Sequence, residues 1–360
     1  MMVEAWIEQF GEPAVGVAFG LLAGAVFGVL AQLSRFCMRS ATIEVWRGQR
    51  GDRLPLWLLA VGVALLATQG LILAGVVTTD PIRQLNSGGS LSGAAIGGLL
   101  FGAGMILTRG CVSRLMVLSA SGNLRAIVTT IVFIGVAYAT MRGALGEARN
   151  AVAGLAPLSG GLDIAKSVGL GAAGAAALGG LIMLGALVLG ARRGLSVWMA
   201  VGGILIGLAV AGTYALTALM NSVSFDPQPV RGLSFIATIV NVAAGLVAQA
   251  PKLDFDAGLI PGVFAGAFLA ALASRSFRVE WFASPLASVR YIIGAALMGF
   301  GGVLAGGCSM GNGVSGMAIL ALPAFIALVA MWIGAGLTDR LVDRRQGIAA
   351  EPTPVLVPAE

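Results

Sequence analysis

The chain has 360 residues, of which 58% are hydrophobic and 11% charged, with a net charge of +6 and a mean hydropathy of +0.95. A soluble domain carries roughly 25% charged residues, so this sequence cannot cover a water-facing surface and reads as an all-α polytopic protein of the lipid bilayer. The positive charge sits in arginine clusters at the ends of apolar runs, where membrane topology places it, and is no nucleic-acid signature. There is no histidine, no CxxC and no GxxxxGK[ST]. A zinc site, a dithiol redox motif and ATP hydrolysis are therefore not expected, and neither is a metal or cofactor.

Apolar runs of spanning length fall at about 16–36, 56–77, 92–110, 126–141, 168–191, 196–220, 258–274, 287–307 and 317–337. A span needs roughly 20 residues, with about 17–25 tolerated, so 126–141 and 258–274 stand near the minimum. Three stretches, 38–48, 111–120 and 308–315, begin at or beside a cysteine and are too short to cross. A fourth, 233–249, is read as re-entrant. The opening MMVEAWIEQFGEP carries acids where a cleavable signal peptide has a basic region, so no such peptide is expected.

The arginines orient the chain. Arg39, Arg47, Arg50 and Arg53 follow the first span, Arg192 and Arg193 the fifth, and Arg340, Arg344 and Arg345 the last, while Arg275 and Arg278 precede the eighth. With all of them inside there are nine crossings, a periplasmic N-terminus and a cytoplasmic C-terminus. A full crossing by 233–249 would put one basic cluster outside.

The two halves share a register. GGLLFGAGMILTRGC (97–111) aligns with GAALMGFGGVLAGGC (294–308), so that Gly97, Gly102, Gly104, Gly110 and Cys111 meet Gly294, Gly299, Gly301, Gly307 and Cys308. The expected organisation is a first repeat at 1–145, a linker with one span at 146–195, a second, inverted repeat at 196–340 and a cytoplasmic tail at 341–360. Inverted repeats are a common transporter plan with the substrate near the bilayer midplane. The plainer alternative is that glycine-rich apolar sequence resembles itself.

The three cysteines all lie at breaks between apolar runs, in SRFCMRS (Cys37), TRGCVSR (Cys111) and AGGCSMGNG (Cys308). A broken helix at membrane depth leaves backbone groups that only protein or a water-filled cavity can satisfy. The N–H groups that open the following short segments suit an anion, and thiols add weak donors and polarizable sulfur. The candidate pathway residues are Cys37, Cys111, Cys308, Arg109, Gly110, Gly307, Ser309 and Asn312. Plainer roles stand beside these: buried thiols act as small hydrophobes, and flanking arginines anchor the membrane interface. Thr108 reads as a cap. Asn123 reads as a turn residue, and Asn312 as either a turn residue or a ligand donor. Glu44 either carries a coupling proton or pairs with Arg47 or Arg39, and Asp226 and Arg231 read as a solvated loop.

These three motifs together resemble the YeeE/YedE family of bacterial inner-membrane sulfur-transport proteins, over about residues 10–340. The resemblance implies nine transmembrane helices and short helices on loops that dip in from both faces, giving an hourglass. It implies that Cys37, Cys111 and Cys308 line the path of thiosulfate, which passes between thiols through S–H hydrogen bonds without an ATPase. For some members it also implies a small cytoplasmic sulfur-carrier protein as partner. The expected function is uptake of thiosulfate or a similar small sulfur anion across the bacterial inner membrane, by a protein that is not an enzyme. The alternatives are a membrane thiol enzyme, such as a persulfide-forming sulfurtransferase, a redox sensor, or a channel for another small anion such as formate or nitrite.

Overall fold

Short polar residues set where the helices begin. Ser90, Asn123, Ser196 and Asp254 each accept a hydrogen bond from a backbone N–H of the first turn that follows, which satisfies a donor that a helix start otherwise leaves open. In the computed structural model, the structure describes residues 2–80, 82–86, 89–158, 163–224, 229–249, 253–282 and 285–344. The helices in chain order are α1 (Met2–Phe10), α2 (Glu12–Ser34), α3 (Met38–Trp46), α4 (Arg53–Leu73), α5 (Arg83–Asn86), α6 (Leu91–Leu107), α7 (Val112–Ala120), α8 (Leu124–Arg142), α9 (Gly146–Ala153) and α10 (Ile164–Ser167). They continue with α11 (Gly171–Arg193), α12 (Val197–Val223), α13 (Phe235–Val247), α14 (Phe255–Ala273), α15 (Pro285–Leu304) and α16 (Leu322–Thr338). Two segments are π-helical, π1 (Gly311–Gly316) and π2 (Asp339–Asp343). Strands are confined to a two-residue antiparallel pair, β1 (Gly89–Ser90) with β2 (Pro157–Leu158), among the described residues.

The chain is thus an all-α polytopic membrane protein. Each expected apolar run is a helix: α2, α4, α6, α8, α11, α12, α14, α15 and α16. Among the described residues, eight stretches are long and apolar enough to cross a membrane, and the apolar part of α15, Ser288–Leu304, is shorter. α13 has 13 residues, a length of about 20 Å at ~1.5 Å per residue, short of the ~30 Å hydrocarbon layer. The three cysteine-headed stretches are α3, α7 and π1. α1, α5, α9 and α10 were not apparent as apolar runs. The expected tail lies outside the described residues beyond Arg344. Around the outside, Ile131, Leu181, Leu184, Val188 and Leu269 present their side chains outward from mid-helix, as contact with hydrocarbon requires.

Glycine sets how closely the helices approach. α2 and α14 form the most extensive contact. Gly20, Gly24 and Gly28 lie on the backbone of α14, and Gly258, Gly262 and Gly266 lie on the backbone of α2. A Cβ at Gly24 would stand 2.2 Å from the Leu259 carbonyl oxygen, and one at Gly258 would stand 2.0 Å from that of Val17. Such small-residue faces are how membrane helices gain van der Waals contact without a hydrophobic driving force.

The packed pairs repeat between the halves. α2 packs on α14 as α12 packs on α4, and α6 on α16 as α15 on α8. α3 packs on α4 and α16 as α13 packs on α14 and α8, and α7 packs on α8 and α14 as π1 packs on α16 and α4. α6 and α15 meet directly, Gly97 against Gly301 and Gly104 against Gly294, so the glycines that the register pairs as 97/294 and 104/301 meet crosswise. α11 stands outside this exchange and packs on α4.

Gly24→Ala is expected to pry α2 from α14 and lower the melting temperature in detergent, at the ~1–3 kcal/mol typical of overpacking. Gly180→Ala, where nothing lies within 4 Å of the added methyl, is the control and leaves stability unchanged or slightly raised, since alanine favours a helix by up to ~1 kcal/mol. Equal melting temperatures for the two variants would remove the seam as the tie between α2 and α14.

Candidate functional site

One backbone device recurs at the three cysteines. α2 runs into Arg35 (φ 53), α6 into Arg109 (φ 55) and α15 into Gly306 (φ 73), all left-handed and each two residues before a cysteine. The left-handed residue turns the chain off its helix, and the cysteine then starts the next one. Cys37 (φ −159, ψ 119) and Cys111 (φ −81, ψ 168) are the N-caps of α3 and α7. The Cys308 carbonyl accepts the Asn312 N–H at 2.8 Å and so heads the turn into π1. Only the third break uses glycine. A left-handed arginine costs roughly 1–2 kcal/mol, and Arg109 stands where the second half has Gly306.

All three thiols are free and buried. The Cys37 and Cys111 side chains are neighbours, and Ser309 comes near Cys111 from the opposite break. Ser113 Oγ lies 3.2 Å from Cys111 Sγ. Cys308 Sγ accepts the Gly311 N–H at 3.4 Å. The breaks after α6 and α15 therefore bring their first residues together, with Cys37 alongside Cys111 and Cys308 next to Ser309. Arg39 and Arg114 place positive charge near Cys37. Ser309 Oγ is sealed from solvent and has no hydrogen-bond partner among the described residues.

Several expected site residues take part in bonds that hold the backbone. Asn312 Nδ2 donates to the carbonyls of Ala305 and Gly307, both at 3.1 Å, bonds of the kind a turn residue makes. A Cβ at Gly307 would stand 2.7 Å from Asn312 Oδ1, so this glycine lets the amide fold back. Thr108 Oγ1 donates to Gly104 O at 2.9 Å and Gly110 O at 3.0 Å, which ties Gly110 into the second break. Asn123 caps α8, and its Nδ2 donates to Glu280 at 2.8 Å.

The ion pairs differ from expectation. Glu44 bonds Arg193 Nη1 at 2.9 Å and the Arg53 backbone N–H at 2.9 Å; Arg47 is instead bonded to Asp339, and Arg39 lies 3.7 Å from Asp343. The hydrogen-bonded Asp339 carboxylate holds the Arg47 guanidinium above its ordinary pKa, against the opposing effect of burial. Arg231 is not in a solvated loop. Its guanidinium bonds the buried carboxylate of Asp256 through two contacts of 2.9 Å, and Thr238 and Asn241 donate to the same carboxylate at 2.7 and 2.9 Å. Asp226 lies outside the described residues.

A cavity of about 350 Å³ opens at the end of the bundle where α2 begins and α12 ends, walled by Glu12, Thr217, Asn221, Asp254 and Arg231. Arg231 also lines a small enclosed space of about 10 Å³, together with Tyr214, Ser234 and Ser315.

A sequence profile of the family described as Sulphur transport matches residues 33–337. The chain is 27% identical over 329 residues to the thiosulfate transporter TsuA of Spirochaeta thermophila, covering 88% of this chain and 96% of that protein. It is 28% identical over 350 residues to the thiosulfate transporter TsuA of Escherichia coli, covering 90% and 94%. The chain belongs to the sulphur transport family.

Asn312→Ala leaves the carbonyls of Ala305 and Gly307 without their donor, and a lower melting temperature is expected, by about 1–3 kcal/mol of stability. Asn312→Asp fails in the same way, because a carboxylate cannot donate. An Asn312→Asp variant as stable as the parent would mean that the amide does not hold the third break.

Proposed function

We propose that this member of the sulphur transport family is a permease for thiosulfate or a similar small sulfur anion, working in the bacterial inner membrane without ATP. The observation that carries the reading is the meeting of two broken helices inside the bundle, with Ser309 against Cys111 and Cys37 beside it. The names of the two relatives point the same way.

The physical problem is desolvation. Transfer of a bare anion into hydrocarbon costs on the order of tens of kcal/mol, so donors must replace its water at each step. Thiols, a serine hydroxyl and the opening N–H groups of α7 and π1 are such donors. They bind weakly enough to release, as movement through several sites demands. In this reading the anion enters by the cavity at Arg231, passes Cys308, then Cys111, then Cys37, and leaves past Arg39.

The links between loops agree with the sidedness that the arginines give. Long-range links join loops that the arginine rule puts on one side: Gln84 to Gly311 and Arg231 to Asp256 outside, and Arg47 to Asp339 and Glu44 to Arg193 inside. The exchange of packed pairs supports two inverted repeats at 1–145 and 196–340 joined by 146–195, with the N-terminus periplasmic. The basic inner end would be the place for a small sulfur carrier to dock.

The test is uptake of thiosulfate labelled in its outer sulfur, in cells lacking other thiosulfate importers. Cys111→Ala or Cys308→Ala is expected to abolish uptake while each variant is inserted at the parent level. Normal uptake by both would end the thiol-relay reading. A stable persulfide on Cys111, found by mass spectrometry after thiosulfate treatment in a chain that imports nothing, would turn the assignment to a sulfurtransferase.

A further inference from the structure

The start of α13 in the second half repeats the start of α3 in the first, with a serine at the cap position where α3 has a cysteine. Ser234 lies 197 residues after Cys37, the separation that also relates Cys308 to Cys111. Cys37 heads α3 and Ser234 heads α13, both extended (φ −159, ψ 119 and φ −145, ψ 126), and neither side chain caps its helix. α13 takes the place of α3 in the exchange of packed pairs. Where one half has a thiol, the other has a hydroxyl.

That hydroxyl is placed for a ligand. Ser234 Oγ is sealed from solvent and has no hydrogen-bond partner among the described residues. A Cβ at Gly311 would stand 2.7 Å from it, and the Gly311 N–H is the group that donates to Cys308 Sγ. Ser234 thus stands across a bare glycine from the outermost thiol. It also lines the small space of about 10 Å³ whose wall includes Arg231, and Arg231 in turn lines the open cavity. Between the opening and the thiols there is therefore a fixed cation followed by an unpartnered donor. Asp256 fixes that cation, being itself saturated by Thr238 and Asn241, and a guanidinium carries five donors to share.

The geometry points to Arg231 and Ser234 as an outer anion-binding station that takes the oxygen atoms of the substrate before the thiols take its sulfur. This rests on the permease reading above. The chemistry is complementary: guanidinium and hydroxyl suit hard oxygen atoms, and polarizable thiols suit sulfur. A tetrahedral anion with both kinds of atom satisfies the whole path. Sulfate satisfies the outer station alone and should occupy it without passing, so sulfate is the probe that reads this station.

Labelled thiosulfate uptake would be measured for Ser234→Ala, Ser234→Cys and Gly311→Ala, with unlabelled sulfate as competitor and Cys111→Ala run in parallel. Ser234 Oγ bonds nothing among the described residues, so its loss leaves insertion unchanged. Ser234→Ala is expected to raise the half-saturating concentration about tenfold, the scale of one hydrogen bond to a charged group, and to weaken sulfate competition by a similar factor. Ser234→Cys, which makes the outer break repeat the inner one, recovers thiosulfate uptake more than sulfate competition. Gly311→Ala displaces the hydroxyl and behaves as Ser234→Ala does. Unchanged half-saturation and unchanged sulfate competition in Ser234→Ala, while Cys111→Ala is dead, would overturn the station and leave the permease intact. Unchanged uptake in Cys111→Ala as well would overturn the station and remove Cys111 from the relay, while transport itself stands.

Discussion

Backbone groups released inside an apolar bundle must find partners in the protein, and the rest of this structure answers that demand. A continuous helix satisfies itself. Here α2, α6 and α15 stop and restart around a cysteine, and each stop frees carbonyls and N–H groups where hydrocarbon offers nothing. The side chains that close the gaps are few and specific. Thr108 serves the carbonyls of Gly104 and Gly110, Asn312 those of Ala305 and Gly307, Tyr214 that of Ser315, and Gln84 that of Gly311. With these bonds made, the hydroxyls of Ser309 and Ser234 are among the buried groups left without a hydrogen-bond partner among the described residues, and the proposed path uses them.

The same demand explains where charge is buried. Asp256, Asp339 and Asp343 are almost fully enclosed, and each is matched by arginine. Removing one member of such a set strands the other, typically at ~3–5 kcal/mol. These pairs tie the loops that carry α3 and α13 to the long helices beside them. Rigid support of this kind holds the cysteine-headed breaks at a fixed spacing.

Much of this was legible in the sequence. Apolar runs gave the long helices because length and hydropathy are summed over many residues. Glycine followed by cysteine at the end of a run gave the breaks, and the shared glycine register paired α6 with α15. What stayed hidden depends on residues far apart in the chain. Glu44 was expected to pair with Arg47 or Arg39, yet its partner Arg193 lies 149 positions away. Arg231 looked like loop because its neighbours are polar; only the return of α14 brings Asp256 against it. Ser234 carried no signal of its own, since a serine at the edge of an apolar run is ordinary. The π-helical form of 311–316 could not be read either, because three glycines in six residues give no period.

The seam between α2 and α14 sets an order of assembly. Gly24 rests on Leu259, so the first long helix cannot settle until more than half of the chain beyond it has been made. At about 5–20 residues per second that is a wait of roughly ten to fifty seconds. Throughout it the bare glycine face of α2 must be sheltered by lipid or by the insertion machinery. The N-terminal half is thus threaded first and locked last, and the protein becomes a sealed barrier only when its second half arrives to close it.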